Sequence, residues 1–527
     1  MSARTLGAGR HACSWLCAGA ATACVAVFSP LLGGTAAAQL IAIKTVPVAE
    51  GDQFGFLPSA NLGMAGVSIA LNDTLLDPFS NPAKAARLRR THFFGAPAFY
   101  SVSSNAGSGR TLPLGGFVQH GSFYSGLALA LQEVSGARRD AFAPPIVLDG
   151  FIDVAPGVPA TISTAEFPTT PRTRTNQYAV AMLGRVIPEA KLSIAASAFW
   201  SGLSAIDGVD LLYAGSQSIK QFGQSLDFRL GVVKELPGAQ SLEAVVVHNR
   251  FAMTHDVTYV DFFWEPTLRQ RLPRPRMEHN PDRTNTWGLH LQYQRPLSDS
   301  GPRLGAIVTA NRMSHPKIPN YEIMSIPRDP GYSTALNVGV GLAQTNGPLT
   351  LGIDAIVEPI WSHTWADAEA PTPTNGGGTI PAGGRTIENR FRFANGLLRA
   401  GLKREFKLEI PEASASMQFG VQLRSITYHL AQFSHVLNAG RGQDESWTEW
   451  TYAWGASVRV PEVEVHYRLR MTSGTGRPGV ATNGFGRPEA FAAADGGRNF
   501  IVAPSGALTL DPVRVVSHQL SVSLPLR

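Results

Sequence analysis

The 527 residues carry 45 Lys and Arg against 39 Asp and Glu, a net charge of +6, and only 16% of them are charged, against 53 glycines and 37 prolines. The positive excess is small and spread along the chain, so it makes no case for nucleic acid. All three cysteines (Cys13, Cys17, Cys24) fall near the start, which excludes disulfide staples and Cys-based metal or catalytic sites from the rest.

Residues 1–38 predict a cleaved secretion signal. Arg4 and Arg10 give a positive start, Ala12 to Leu32 is nearly all apolar, and Ala36-Ala37-Ala38 supplies small residues at the cut. No later apolar run reaches the roughly 18 residues that a spanning helix needs. A secreted, Gly-rich chain with mean hydropathy near zero fits an outer-membrane β-barrel, whose strands turn one face to lipid and the other to a polar lumen.

Residues 39–90 precede the first predicted strand. Within them, LGMAGVSIALNDTLLDPFSNPAKAARL (62–88) joins an apolar small-residue segment, an acidic turn and a basic helix. Asn81-Pro82 is a helix start, because Asn caps free backbone N–H groups and Pro suits the first helical position. Lys84, Arg87, Arg89 and Arg90 make the helix Pro82 to Leu88 and its exit basic, which suits a polar lumen and not lipid.

Residues 91–527 predict the barrel itself, an all-β antiparallel up-and-down meander. Apolar Leu226, Phe228, Leu230 and Val232 alternate with Asp227, Arg229 and Gly231. Trp287, Leu289 and Leu291 alternate with His290 and Gln292, and Leu349, Leu351, Ile353 and Val357 with Asp354 and Glu358. Val463, Val465, Tyr467, Leu469 and Met471 alternate with Glu464, His466, Arg468 and Arg470. Short connections at 120–121, 188–190, 236–239, 296–301, 346–348, 407–412 and 460–461 alternate with long Gly-, Pro- and Thr-rich segments at 134–175, 206–223, 255–283, 315–331, 366–386, 430–445 and 473–512. Short periplasmic turns and long outer loops are the habit of such barrels. The count is sixteen strands, from near His92 to near Leu526, within a range of 14 to 16 because 112–120 and 302–314 are weak. Trp200, Trp361, Trp365, Trp447 and Trp450 fall near strand ends and predict an outer aromatic girdle. Loop 366–386 has nothing with which to build a core and is expected to be mobile. Loop 137–174 carries Ile146, Leu148, Phe151 and Ile152, which predicts either a lid over the mouth or a docking surface for an apolar ligand.

The string Leu62-Gly63-Met64-Ala65-Gly66-Val67, then Asn72-Asp73, then Asn81-Pro82-Ala83, resembles the N-terminal pattern of the FadL-type outer-membrane transporters, which the PorV-type barrels of secretion systems share. LPLGGFVQHGSFYSGLALALQE (112–133) is a second echo. The chain departs from the pattern with Ala65 for the first of two glycines, Asn72 for an acid and Lys84 for a final glycine. The resemblance implies a 14-stranded barrel closed by an N-terminal hatch, here with Gly63, Met64, Gly66, Asp73, Asn81, Pro82 and Ala83. It also implies passive movement of long-chain fatty acids or other hydrophobic molecules, with a ligand docking at outer loops and leaving through the wall.

No H-E-x-x-H, paired metal spacing or G-x-S-x-G elbow is present, so no enzyme, metal or cofactor is expected. Arg229, His290, Asp354, Glu358, His466, Arg468 and Arg470 are candidates to face the lumen. Salt bridges among themselves suffice to hold them there, while the arginines suit an anionic headgroup such as a carboxylate. The sequence thus points to a monomeric outer-membrane channel for hydrophobic compounds. Its expected partners are membrane lipid, a hydrophobic small-molecule solute and, during biogenesis, the barrel assembly machinery. The alternative is a structural or secretion-associated barrel that binds protein partners.

Overall fold

The computed structural model of the chain describes residues 54–88, 90–103, 107–136, 173–205, 218–265, 267, 270–298, 301–314, 331–368, 370–478 and 510–526. The signal 1–38 and the apolar loop residues Ile146, Leu148, Phe151 and Ile152 lie outside the described residues.

The barrel begins with a broken strand. β1 (His92–Gly95) and β2 (Ala98–Val102) both pair with β3 (Gly107–His120) on one side and β19 (Leu510–Pro525) on the other. The register is unchanged across the break, so β1 and β2 are one strand interrupted at Ala96-Pro97, where proline has no N–H to give the ladder. The meander continues through β4 (Phe123–Gly136), β5 (Thr173–Ile187), β6 (Leu192–Leu203), β7 (Ser218–Leu236), β8 (Gln240–Glu265), β9 (Gln270–Pro296), β10 (Arg303–Ser314), β11 (Gly331–Asn346) and β12 (Leu349–Asp367). After a small hairpin of β13 (Thr372–Pro373) and β14 (Thr379–Ile380), β15 (Arg385–Lys407), β16 (Ser414–Ser434), β17 (Ala439–Val460) and β18 (Val463–Pro478) lead to β19. Every pairing is antiparallel and β19 meets the first strand, closing a barrel of 16 staves. Sixteen is the number that the alternation of connections predicts. The 14 implied by the family resemblance does not hold for this chain.

The two faces part as period 2 requires. Outward residues are large and apolar yet open to the surroundings: Leu129 is 54% exposed, Leu183 63% and Leu230 51%. Between them, polar Asp227, Thr309, Asn337 and Asp354 are buried on the inner side. No helix among the described residues is long and apolar enough to cross a membrane. Strands that expose leucine and bury aspartate make sense only where lipid lies outside and protein or water inside. Trp200, Trp361 and Trp450 are outward and exposed, Trp365 is half-buried, and the side chain of Trp447 lies outside the described residues.

Several predicted loops are strand. Segment 255–283 is the distal part of β8 and β9, which pair from Ser241 opposite Gln294 to Glu265 opposite Gln270. Its prolines suggested a loop, yet Pro273, Pro275 and Pro281 all occupy odd positions beyond Asn285, where β9 pairs with β8 but no longer with β10. Their missing N–H groups fall on that unpaired edge, the one place in a sheet that tolerates proline. Segment 430–445 is likewise strand on both sides of a turn at 435–438. Loop 366–386 forms the hairpin β13–β14, in which the Ala368 carbonyl accepts from Gly383 N at 2.7 Å and Ala368 N donates to Gly384 O at 2.8 Å.

Residues 54–88 touch the inner face of strands all around the ring. On one side Phe54, Leu57, Phe79 and Ala83 form an apolar cluster with Phe117, Tyr124, Met182 and Phe199, with Phe54 edge-on to Phe199 at 5.0 Å. On the opposite side the wall presents glycines. A Cβ on Gly401 would stand 2.6 Å from the Met64 Cβ, and one on Gly341 2.6 Å from the Ile69 Cβ. The segment therefore runs inside the barrel, seated in hollows that side chains on the wall would fill.

Candidate functional site

The segment has short helical turns and no ladder, so its backbone polar groups must find partners elsewhere. Inside the segment, Asp73 is the organiser: its carboxylate accepts from Ser59 Oγ and from the backbone N–H of Ala60, Asn61, Leu75 and Leu76. Asn81 caps as predicted, its side chain accepting from Ala83 N at 3.1 Å, but the helix that follows is a 3₁₀ turn, Pro82–Arg87, one residue shorter than expected. Ala65 and Gly66 both take the left-handed conformation, with φ of 57° and 77°. Gly63 and Met64 sit in a 3₁₀ turn before them and are buried.

The wall supplies the remaining bonds. Arg229 Nη1 donates to Ser80 O at 2.8 Å while its Nε donates to Asp227 at 2.8 Å, and its guanidinium lies 4.8 Å from the Phe54 ring centre. Asp354 accepts from Ser68 N at 2.8 Å and Ile69 N at 3.3 Å. Gln292 and Gln294 both donate to Ile69 O at 2.9 Å, Gln418 to Ala60 O at 2.8 Å and Arg468 to Gly55 O at 3.1 Å. Of the predicted lumen residues, Arg229, Asp354 and Arg468 thus hold the segment. His290 bonds Thr309 at 2.7 Å, His466 bonds Glu464 on its own strand at 2.9 Å, and Arg470 is half-buried two residues from Arg468.

Lys84 ties the segment to the wall by charge. Its ammonium lies 2.9 Å from Glu243 and 3.2 Å from both Asp77 and Gln292, and it is 7% exposed. Arg87 reaches the same Glu243 at 3.0 Å and Glu235 at 3.0 Å. Burial works against the Lys84 charge, but the fields of Asp77 and Glu243 outweigh it and raise its pKa. Asp77 is pushed up to about 6: burial disfavours its charge, Lys84 only partly offsets that, and Asp73 and Glu243 add repulsion. Lysine where the resembled pattern has glycine is matched by a buried glutamate on β8.

Glu358 belongs to a different place, farther toward the long connections. Arg424 Nη2 donates to it at 3.4 Å and Asn337 Nδ2 at 3.1 Å. Around this pair the inner wall of β12, β15 and β16 carries a run of apolar residues, interrupted by buried Asn395 and Ser362. Leu397 lies opposite Ile356 and Arg424, Phe393 opposite Ile360, and Phe391 opposite Leu430. The six apolar residues are buried and Arg424 is half-buried, and the Phe391 and Phe393 rings stack at 5.8 Å. A largely apolar strip with an arginine in it, here paired to Glu358, can hold an amphipathic molecule by its tail and its anionic head. Glu358 is legible in the sequence, whereas Arg424, Phe391 and Phe393 are not singled out there. Their signal was the run Arg390-Phe391-Arg392-Phe393, whose alternation is plain but whose facing is the reverse of apolar-outward. Near the short turns, a cavity of about 470 Å³ opens between Thr74, Leu75 and Leu88 of the segment and Arg459, Glu464 and Pro525 of the rim.

No family model matches the sequence, and no curated protein matches it. Among solved structures, the chain is similar to the crystal structure of a Pseudomonas aeruginosa FadL homologue, with 12% identity over 90% of this chain and 99% of that one, at a TM-score of 0.42. It is also similar to a bacterial polysaccharide outer membrane secretin (6% identity, 83% and 99% covered, TM-score 0.38) and to a ferric enterobactin receptor mutant of Pseudomonas aeruginosa (8%, 82% and 80%, 0.31). At such scores the functional reading rests on this chain's own geometry. That geometry defines a transmembrane-type antiparallel β-barrel whose N-terminal segment lies inside it.

Proposed function

We propose that the chain is an outer-membrane channel for the passive uptake of hydrophobic compounds with an anionic head, such as long-chain fatty acids. Residues 54–88 act as the plug, and the apolar loop around Phe151 and Ile152 as the outer docking surface. The observation that carries the reading is the inner strip of Ile356, Ile360, Phe391, Phe393, Leu397 and Leu430 with Arg424 set in it. A purely aqueous pore has no use for stacked phenylalanines on its inner wall, and an arginine there matches a carboxylate. The plug explains why so much of the inner polar wall is spent on main-chain bonds to 54–88.

The test is uptake of a labelled fatty acid into liposomes holding the full chain, with native mass spectrometry of what co-purifies. Arg424→Leu removes one charge-assisted bond, so about tenfold weaker uptake of the acid is expected, with the neutral methyl ester unaffected. Equal loss for acid and ester removes Arg424 from the headgroup role. A stoichiometric protein partner with no bound lipid would instead favour the structural or secretion-associated reading.

A further inference from the structure

The outward face of β10, β11, β12, β15 and β16 changes character at one level. Val308, Val338 and Val357 lie opposite one another across three strands and are 44%, 39% and 42% exposed, the mark of the lipid belt. Four residues farther along, roughly 14 Å at the usual strand rise, a second row is in register: Arg312 opposite Thr334, Thr334 opposite Trp361, Trp361 opposite Arg392, and Arg392 opposite His429. One step beyond, Tyr332 lies opposite His363 and His363 opposite Arg390. Arg312, Arg390 and Arg392 are all exposed, Arg390 to 70%. This end carries the long connections, and so faces outside.

Arginine on the lipid side of a barrel is costly at the bilayer centre and tolerated at the interface. Polar lumen chemistry does not explain these three, because their strands send the other face, Asn311, Phe391 and Phe393, inward. Aromatic rings hold the row in place: Arg312 lies 5.4 Å from the Tyr332 ring centre and Arg385 4.6 Å from that of Trp365. Of the acids nearby, half-buried Glu388 already meets Arg385 and Arg390, and Asp444 meets His429. The patch keeps a positive excess at headgroup depth, and the arginine fork suits phosphate oxygens. We infer that this row is a binding site for a phosphate-bearing lipid of the outer leaflet, held on the outer wall between β10 and β16. This site is separate from the transport path and does not depend on it.

The experiment titrates the purified full chain in detergent with bisphosphorylated lipid A and with the same lipid after phosphatase treatment, read by native mass spectrometry. Wild type should retain the phosphorylated form at least about tenfold better than the dephosphorylated one. The combined Arg312→Gln, Arg390→Gln, Arg392→Gln variant should lose that preference, and Arg404→Gln, on β15 near the short turns, should keep it. Heat-dependent gel mobility reports whether each variant is a folded barrel. Equal retention of the two lipids by wild type overturns the inference without reference to any variant, as does an unchanged preference in the folded triple variant.

Discussion

Replacing Lys84 by methionine is the sharpest probe of how the N-terminal segment is held. The ammonium gives up Glu243 at 2.9 Å, Asp77 at 3.2 Å and Gln292 at 3.2 Å, at a site only 7% exposed, so solvent does little to screen the loss. Breaking a buried pair from one side costs about 3–5 kcal/mol, because the partner charge stays buried. Glu243 keeps Arg87 at 3.0 Å, which argues for the lower end, about 3 kcal/mol. At 1.36 kcal/mol per power of ten, the unseated fraction of residues 54–88 should rise by about two orders of magnitude. Hydrogen exchange of the backbone amides of 62–88 reads that fraction directly, and planar-bilayer conductance reads whether unseating opens a path. Adding Glu243→Gln removes the stranded charge while leaving an acceptor for Arg87, so the double variant should recover much of the protection. Wild-type exchange in Lys84→Met, or a double variant worse than the single one, would show that the Lys84–Glu243 pair does not hold the segment.

The seat should also respond to pH. With the folded pKa of Asp77 near 6 and an ordinary value of 3.8, its contribution favours the seated form below about 4 and is lost as pH rises through 6, amounting to about 3 kcal/mol at full span. Exchange of residues 62–88 should therefore be slower at pH 5 than at pH 7.5 after correction for intrinsic rates, and Asp77→Asn should flatten that difference. Ala65, at φ 57°, sits where an L side chain costs about 1–2 kcal/mol. Ala65→Gly should relieve part of it, and a thermal midpoint that falls instead would mean that the methyl's packing outweighs the backbone.

The departures from the resembled N-terminal pattern acquire physical meaning only in three dimensions. Ala65 adopts the backbone conformation for which glycine is the ordinary choice. Lys84 is accommodated because Glu243, 159 positions away in the chain, offers it a buried carboxylate. Neither fact is visible locally, although Asn81-Pro82 announced its own cap correctly, because a cap is made within three residues.

Local periodicity was enough to determine the all-β meander, a count of 14 to 16 strands and the polar inner row of Asp227, Arg229, Asp354 and Glu358, while closure of the ring fixed the number at sixteen. Those depend on side chains alternating along one strand and on turns a few residues long. It misjudged where β8, β9, β16 and β17 end, because a strand continues for as long as its neighbour offers a ladder, even through prolines on a free edge. Which inner residues grip the segment and which line the wall above it was decided only by tertiary structure, since both groups share the same alternation. The clearest case is Arg390-Phe391-Arg392-Phe393. Alternation alone fits it either way round, and the register with β12 and β16 turns the phenylalanines inward and the arginines out. One shift of register would exchange the two faces, and only closure of the ring fixes which one meets lipid.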